Sequence, residues 1–417
     1  MKLIFTPPSL LLVKTTLFQS LKSLLVALFM LLVLWWWFNT PFSLVLEGTF
    51  LRWCSIIKYT DLLLPSSEIL YKNDVLFINA KSAKTVVTGN IPESDLIISN
   101  RVLLDSLFRQ FRQPAAGKQF IICDLTFDNI TPHDTALAAT IAATDNSYFP
   151  TPDSPYNTLL NQVITTKYTG PVDYDYTNQW GLLTDEFLRS SLVNSNGKKS
   201  LPLVLYEQVN HTSLTPNNGL LWQNSAAYMQ TITIDETIRN YTLSASGNIY
   251  PVQEVLKALA DSSSTLRKNF YTKKFIVIGD FEDDIHKTAW GDAPGSLILF
   301  NIFLSLEQQQ NRITPLWLFF MIAMLTGIVH FVFYARENRR FSRVIRPLKK
   351  YTGPVIGDLT THILLISILS ILSYFCFGIS VNVIAAGVLF SILNGSRRIA
   401  KHAWLRYNKR SRSLSAN

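Results

Sequence analysis

"FIVIGDFEDDIHKTAWGDAPGSLILFN", residues 275–301, decides how this chain is read. It begins as an apolar run, breaks at Gly279, then delivers five carboxylates and one histidine before Pro294-Gly295 opens a second apolar run. A short apolar run without alternation is the pattern of a strand buried on both faces, as in a parallel sheet covered by helices. The second run is long enough for a buried helix. Strand, polar turn and helix predict one unit of an α/β fold, with Asp280, Asp283 and Asp284 at the carboxyl end of the strand. In open α/β sheets that end is where ligands bind.

The same grammar recurs upstream. "DVLFINA" (74–80), "KQFIICDL" (118–125) and "LPLVLYE" (201–207) predict strands. "RVLLDSLFRQFR" (101–112), "DTALAATIAAT" (134–144), "PVQEVLKALA" (251–260) and "SLILFNIFLSLEQ" (296–308) predict helices. Strands alternating with helices give an α/β domain, a mostly parallel sheet flanked by helices. "FIICDLTFD" carries Asp124 and Asp128 to the end of its own strand, so the two acidic turns converge if the strands are neighbours. Residues 145–200 are rich in Tyr, Pro, Asp and Asn without periodicity, and predict a long excursion from the sheet.

Composition adds a membrane. The chain has 417 residues, 48% hydrophobic and only 16% charged, too apolar for an ordinary soluble domain. The apolar residues concentrate in windows of the length a spanning helix needs. The reading is about four transmembrane helices, at 21–40, 315–334, 361–377 and 381–396, the last two joined by a turn at Gly378 and Asn382. Residues 335–357 carry seven Lys/Arg and one Glu, residues 395–417 seven and no acid, and residues 1–22 three lysines. With a formal net charge of +9 for the whole chain, residues 41–314 are net negative. Short basic segments stay in the cytoplasm while long domains translocate. This places 1–20, a basic loop 335–360 and a tail 397–417 in the cytoplasm, and the domain 41–314 outside. The basic balance is then a topology signal, and no nucleic-acid partner is expected. Cys54, Cys123 and Cys376 make no disulfide framework.

Two families resemble parts of the chain. "VIGDFEDD" is similar to the acidic GD-x-x-x-D turn of haloacid-dehalogenase-like phosphatases, which implies a hydrolase using Asp124 with Asp280 and Asp284. That family needs an acid two residues after its nucleophilic Asp, and here the residue is Thr126. The wider resemblance is to bacterial proteins with the second type of CHASE domain, an extracellular sensory domain followed by membrane helices. It rests on Ile278-Gly279, Asp284, His286, Thr288, Pro294-Gly295 and Asn301 in the closing stretch. Upstream it rests on Asp124 at its strand end, Asp134 leading a helix, and Arg239 in "TIDETIRNYTL". The resemblance implies a sensory fold in which Asp124, Asp280, Asp284, His286, Thr288 and Arg239 are candidate ligand-binding residues. It implies no catalytic residue, metal or cofactor. With only a 23-residue tail after the last helix, output is expected through a protein partner or a homodimer. A structural subunit of an envelope assembly is the remaining reading.

Overall fold

The apolar runs that end in aspartate lie side by side. The computed structural model describes residues 10–38, 47–58, 73–88, 95–114, 118–127, 129–152, 158–172, 186–240, 243, 248–334 and 359–414. These belong to two units, residues 41–312 and residues 1–40 with 313–417.

In the first unit the Glu47–Lys58 helix precedes β1 (Val75–Asn79). A hairpin of β2 (Lys84–Thr88) and β3 (Asp95–Ser99) follows, and the Arg101–Phe111 helix returns the chain to β4 (Phe120–Asp124). The Asp134–Ala142 helix leads to β5 (Ser147–Pro150), and the Leu159–Ile164 helix to β6 (Tyr168–Gly170). β7 (Arg189–Ser191), the Leu201–Val209 helix and an antiparallel meander of β8 (Thr215–Asn217), β9 (Leu220–Gln223) and β10 (Ala226–Met229) come next. β11 (Thr231–Thr233) pairs back with β7. β12 (Ile249–Pro251) and the Val252–Ala260 and Thr265–Thr272 helices lead to β13 (Phe275–Gly279). A hairpin of β14 (Ile285–Thr288) and β15 (Gly291–Pro294) then opens the Gly295–Glu307 helix.

Six strands form one parallel sheet in the order β12-β1-β13-β4-β5-β6. The late strand β13 is thus inserted between β1 and β4, with Gly279 level with both Asn79 and Asp124. Strand periodicity sorts its side chains into two cores. Ile276 and Ile278 join Leu76, Ile121, Leu104, Phe108, Leu137 and Val255 on one face. Phe275 and Val277 join Phe77, Ile122, Leu203, Leu297, Phe300 and Phe303 on the other. Each fully buried Leu, Ile or Phe contributes roughly 1.5–3 kcal/mol. Both faces of the sheet are covered, as the unalternating runs predict. Cys54 and Cys123 are buried free thiols.

Two expectations change. "LPLVLYE" is a helix, Leu201–Val209, packed against the sheet and the Gly295–Glu307 helix. An all-apolar run of that length does not distinguish strand from helix, while Ser200 before Pro202 is the start signal of a helix. The presumed excursion 145–200 supplies β5 and β6 to the sheet; its segments 153–157 and 173–185 lie outside the described residues. β5 is only Ser147–Pro150, buried along its whole length, with Tyr148 stacked on Tyr168.

The second unit has four helices long and apolar enough to cross a membrane, with spans Leu17–Trp37, Pro315–Tyr334, Leu359–Phe377 and Val383–Ala400. The first packs along the second, and polar side chains tie the rest. Trp317 Nε1 donates to Ser373 Oγ at 3.0 Å, and His362 Nδ1 lies 2.8 Å from Ser391 Oγ. Between apolar helices such bonds are the specific contacts. Gly378 turns at φ +73°, and Asn382 Oδ1 accepts from Ala385 N, so the turn between the last two spans is where the sequence puts it. Most of the basic loop, 335–358, lies outside the described residues.

Candidate functional site

Asp124 ends β4 level with Gly279, and Asp280 leaves the neighbouring strand one residue beyond that pairing. They open onto a cavity of about 500 Å³, within the range of small-molecule sites. Its lining brings together Asp124, Asp280, Asp284 and His286 with Lys84, Arg101, Ser99, Thr126 and Asn129. Four of the six candidate residues therefore meet in one place.

Each wall follows from local structure. Asp280 accepts the N–H groups of Glu282 and Asp283 at 3.0 and 2.9 Å, a tight turn that swings the chain into the hairpin. Its other oxygen pairs with Lys84 at 2.6 Å, and Lys84 also holds Asp283. Burial acts to raise the Asp280 carboxyl, but the ammonium and the two N–H groups outweigh it and hold the group below the ordinary range. Asp284 pairs with His286 at 2.9 Å, and that bond raises the imidazole against the opposing effect of burial. The Phe187 ring meets His286 edge-on at 4.9 Å. A Cβ on Gly295 would collide with Asp284 Oδ2, so the residue opening the last helix must be glycine for this pair to sit where it does.

The opposite wall starts at a helix cap. Asn100 accepts from Val102 N and Leu103 N, fixing Arg101 as the first residue of its helix. Arg101 is buried and bonded to Asp134, the Ser99 carbonyl and the Asn129 carbonyl. Asp134 also accepts from Thr131 N and Thr131 Oγ1. The helix start thus shares a buried ion pair with its neighbour.

Asp124 is different. Among the described residues its carboxyl meets no hydrogen-bond donor, although it lies in the field of Asp284 and His286. Burial first, then Asp284, push it up to about 7, with His286 opposing. No protein-family profile, curated protein or solved structure matches this chain. Among the described residues no three His, Cys, Asp or Glu side chains group as a metal site.

Thr288 and Arg239 stand apart from the cavity. Thr288 is buried in the hairpin turn, donating to Gly291 O and accepting from Trp290 N. Arg239 lies over the Trp290 ring at 3.4 Å from its centroid. Buried Glu236 bonds Thr288 and Trp290 N, and burial raises its carboxyl to about 7 despite those bonds. Lys84 and Arg101, absent from the sequence-based set, complete the site. The Asn preceding the 101–112 pattern was the available signal for Arg101. Asp128 lies outside the described residues.

One further cluster matters. Asp235 is buried and accepts from Lys58 Nζ at 2.5 Å, Gln310 Nε2 at 3.0 Å and Ser55 Oγ at 3.3 Å. Lys58 and Ser55 belong to the helix that follows the first apolar span in sequence, and Gln310 immediately precedes the second. Asn301 clamps the same segment through Ile238 N and O at 2.9 and 2.8 Å.

Proposed function

We propose that this chain is the membrane-anchored input subunit of a signalling or envelope assembly, its α/β unit facing the periplasm. A solute held in the cavity biases the β14–β15 hairpin, and the bias passes to a protein partner or a second copy of the chain. One observation carries the reading. Residues 235–239 grip the cavity hairpin through Glu236, Arg239 and Trp290, and grip through Asp235 both segments that continue into the first two apolar spans. Arg52 of the Glu47–Lys58 helix also faces Trp290, at 5.7 Å. A ligand preferring one hairpin state shifts such an equilibrium only by its differential affinity, and a few kcal/mol suffice.

The order of motifs shared with type-two CHASE domains supports a sensory role, and the basic flanks support the outward placement. The phosphatase-like reading is weaker, since Thr126 stands where leaving-group protonation needs an acid.

Two measurements test the proposal. A Ser262→Cys label on an exposed turn of the α/β unit should react with an impermeant maleimide in cells whose outer membrane alone is permeabilised. Reaction only after inner-membrane lysis would reverse the topology. Trp290→Ala in the full-length chain should raise hydrogen exchange roughly tenfold in both Glu47–Lys58 and residues 305–311. A change confined to the hairpin would sink the coupling.

A further inference from the structure

The occupant of the cavity can be specified by charge and by which donors are already used. Lys84 is held by Asp280 and Asp283, and Arg101 by Asp134. The cap of Asn100 already takes two N–H groups of the helix start beside Arg101. A ligand carboxylate or phosphate would have to displace an existing partner at each of these points. On the carboxylate side Asp280 and Asp284 are likewise partnered, by Lys84 and His286, and Asp124 is the exception. Asp280, Asp284 and Asp124 all line the cavity, and Asp124 meets no donor among the described residues. Counting each cation with its partners, Lys81 and Lys84 with Asp280, Glu282 and Asp283 leave one negative charge and the Asp124 carboxylate adds another, while Arg101–Asp134 and protonated His286–Asp284 balance. A poorly solvated carboxylate gains most from a charge-assisted N–H donor. The rest of the wall, with Ala80, Leu125 and Val172 among its members, suits a short hydrocarbon chain.

We propose that the cavity binds a small alkylamine, its ammonium group seated on the Asp124 carboxylate with Asp284 beside it. The assignment rests on the input reading only in taking the cavity as the ligand site. It requires Asp124 to be ionised in the complex, so binding expels a proton where the empty site holds one. The charged groups facing Asp124 are Asp280 from β13, Asp284 and His286 from the hairpin, Lys84 from β2 and Arg101 from its helix. His286, raised by its bond to Asp284, gains charge as pH falls and then also repels a cation.

The test uses the full-length chain in lipid nanodiscs and a matched series: 1,4-diaminobutane, 1,4-butanediol and succinate. By calorimetry the diamine should bind, about tenfold more tightly at pH 8 than at pH 6, because the Asp124 carboxyl titrates at about 7 while an alkylammonium keeps its proton. The diol and succinate should bind at least tenfold more weakly, and Asp124→Asn should abolish the preference for the amine. Equal binding of the diol, tighter binding of succinate, a reversed pH trend, or no heat from the diamine at 50 mM overturns the assignment. The wild-type pH trend and the matched series keep the test valid if Asp124→Asn misfolds. Diamine binding that leaves hydrogen exchange in Glu47–Lys58 unchanged would instead remove the input reading and spare the ligand assignment.

Discussion

Asp235→Ala lowers the stability of the α/β unit by about 3–5 kcal/mol, the cost of breaking a buried ion pair by removing one partner. The Asp235 side chain is 0% exposed and Lys58 14%, so the ammonium cannot turn fully to water when the carboxylate goes. Gln310, also buried, loses the same acceptor. Asp235→Asn keeps the shape and one acceptor oxygen, and loses less. Hydrogen exchange of the β4 and β13 amides in the detergent-solubilised full-length chain measures both. A loss below about 1 kcal/mol for the alanine variant would show that the segments around Asp235 are held by packing and not by this carboxylate. The variant also predicts an order of events: protection in Glu47–Lys58 should fall before protection in the sheet, because the carboxylate anchors that helix directly.

The second large effect is on pH. Asp124 and Glu236 both titrate at about 7 in the folded chain, against ordinary values near 4 in the unfolded one. A folded state that holds a proton more tightly than the unfolded state is favoured at low pH, so stability falls as pH rises between about 4 and 7. His286, raised by Asp284, acts in the same direction: its contribution is present at low pH and is lost as pH climbs through its folded value. The lowered carboxylates Asp280 and Asp283 act oppositely, but their contribution is lost only as pH falls below about 4. From pH 5 to pH 7 the unit should therefore lose up to about 1.4 kcal/mol per pH unit for each raised carboxyl. Asp124→Asn should roughly halve that slope and leave the variant more stable than the parent at pH 8. Melting followed by exchange of the β13 amides at pH 5, 6, 7 and 8 tests it. A profile that is flat, or that rises toward pH 8, would mean that water or a mobile neighbour solvates both carboxyls.

Much of this site is legible in the sequence because parallel strands advertise themselves. "FIVIG" and "FIIC" are apolar at every position, and each is followed by aspartate. That pattern places Asp124 and Asp280 at strand ends but does not say that the strands touch. Their adjacency comes from the crossover that brings β13 between β1 and β4, a long-range pairing set by the packing of the whole sheet. The hairpin histidine and its Asp284 partner are two residues apart, so local spacing already suggests their contact. Arg239 is the opposite case: the Trp290 ring it lies over is fifty-one positions away, and no local spacing announces that contact. Asp235 gave no signal at all. It sits in "TIDETI" among ordinary polar residues, and only the fold reveals that two distant segments close on it. In "LPLVLYE" the apolar run alone does not separate helix from strand, and the helix signal lies in Ser200 and Pro202 at its start.

The insertion of β13 into the middle of the sheet has a consequence for how the protein is made. β1 and β4 leave the ribosome early, and the strand that must lie between them follows β4 by about 150 residues, roughly 8–30 s of synthesis. Through that interval the inner edges of β1 and β4 have no permanent neighbour, and the acidic turns that meet at the cavity do not yet coexist. Pairings this distant in sequence form slowly and leave apolar strands open to wrong partners. Only about 36 residues separate the end of β13 from the start of the next apolar span, so completion of the sheet falls close in time to membrane insertion of that span. Nascent chains of this protein should therefore depend on whatever shields unpaired strand edges during synthesis.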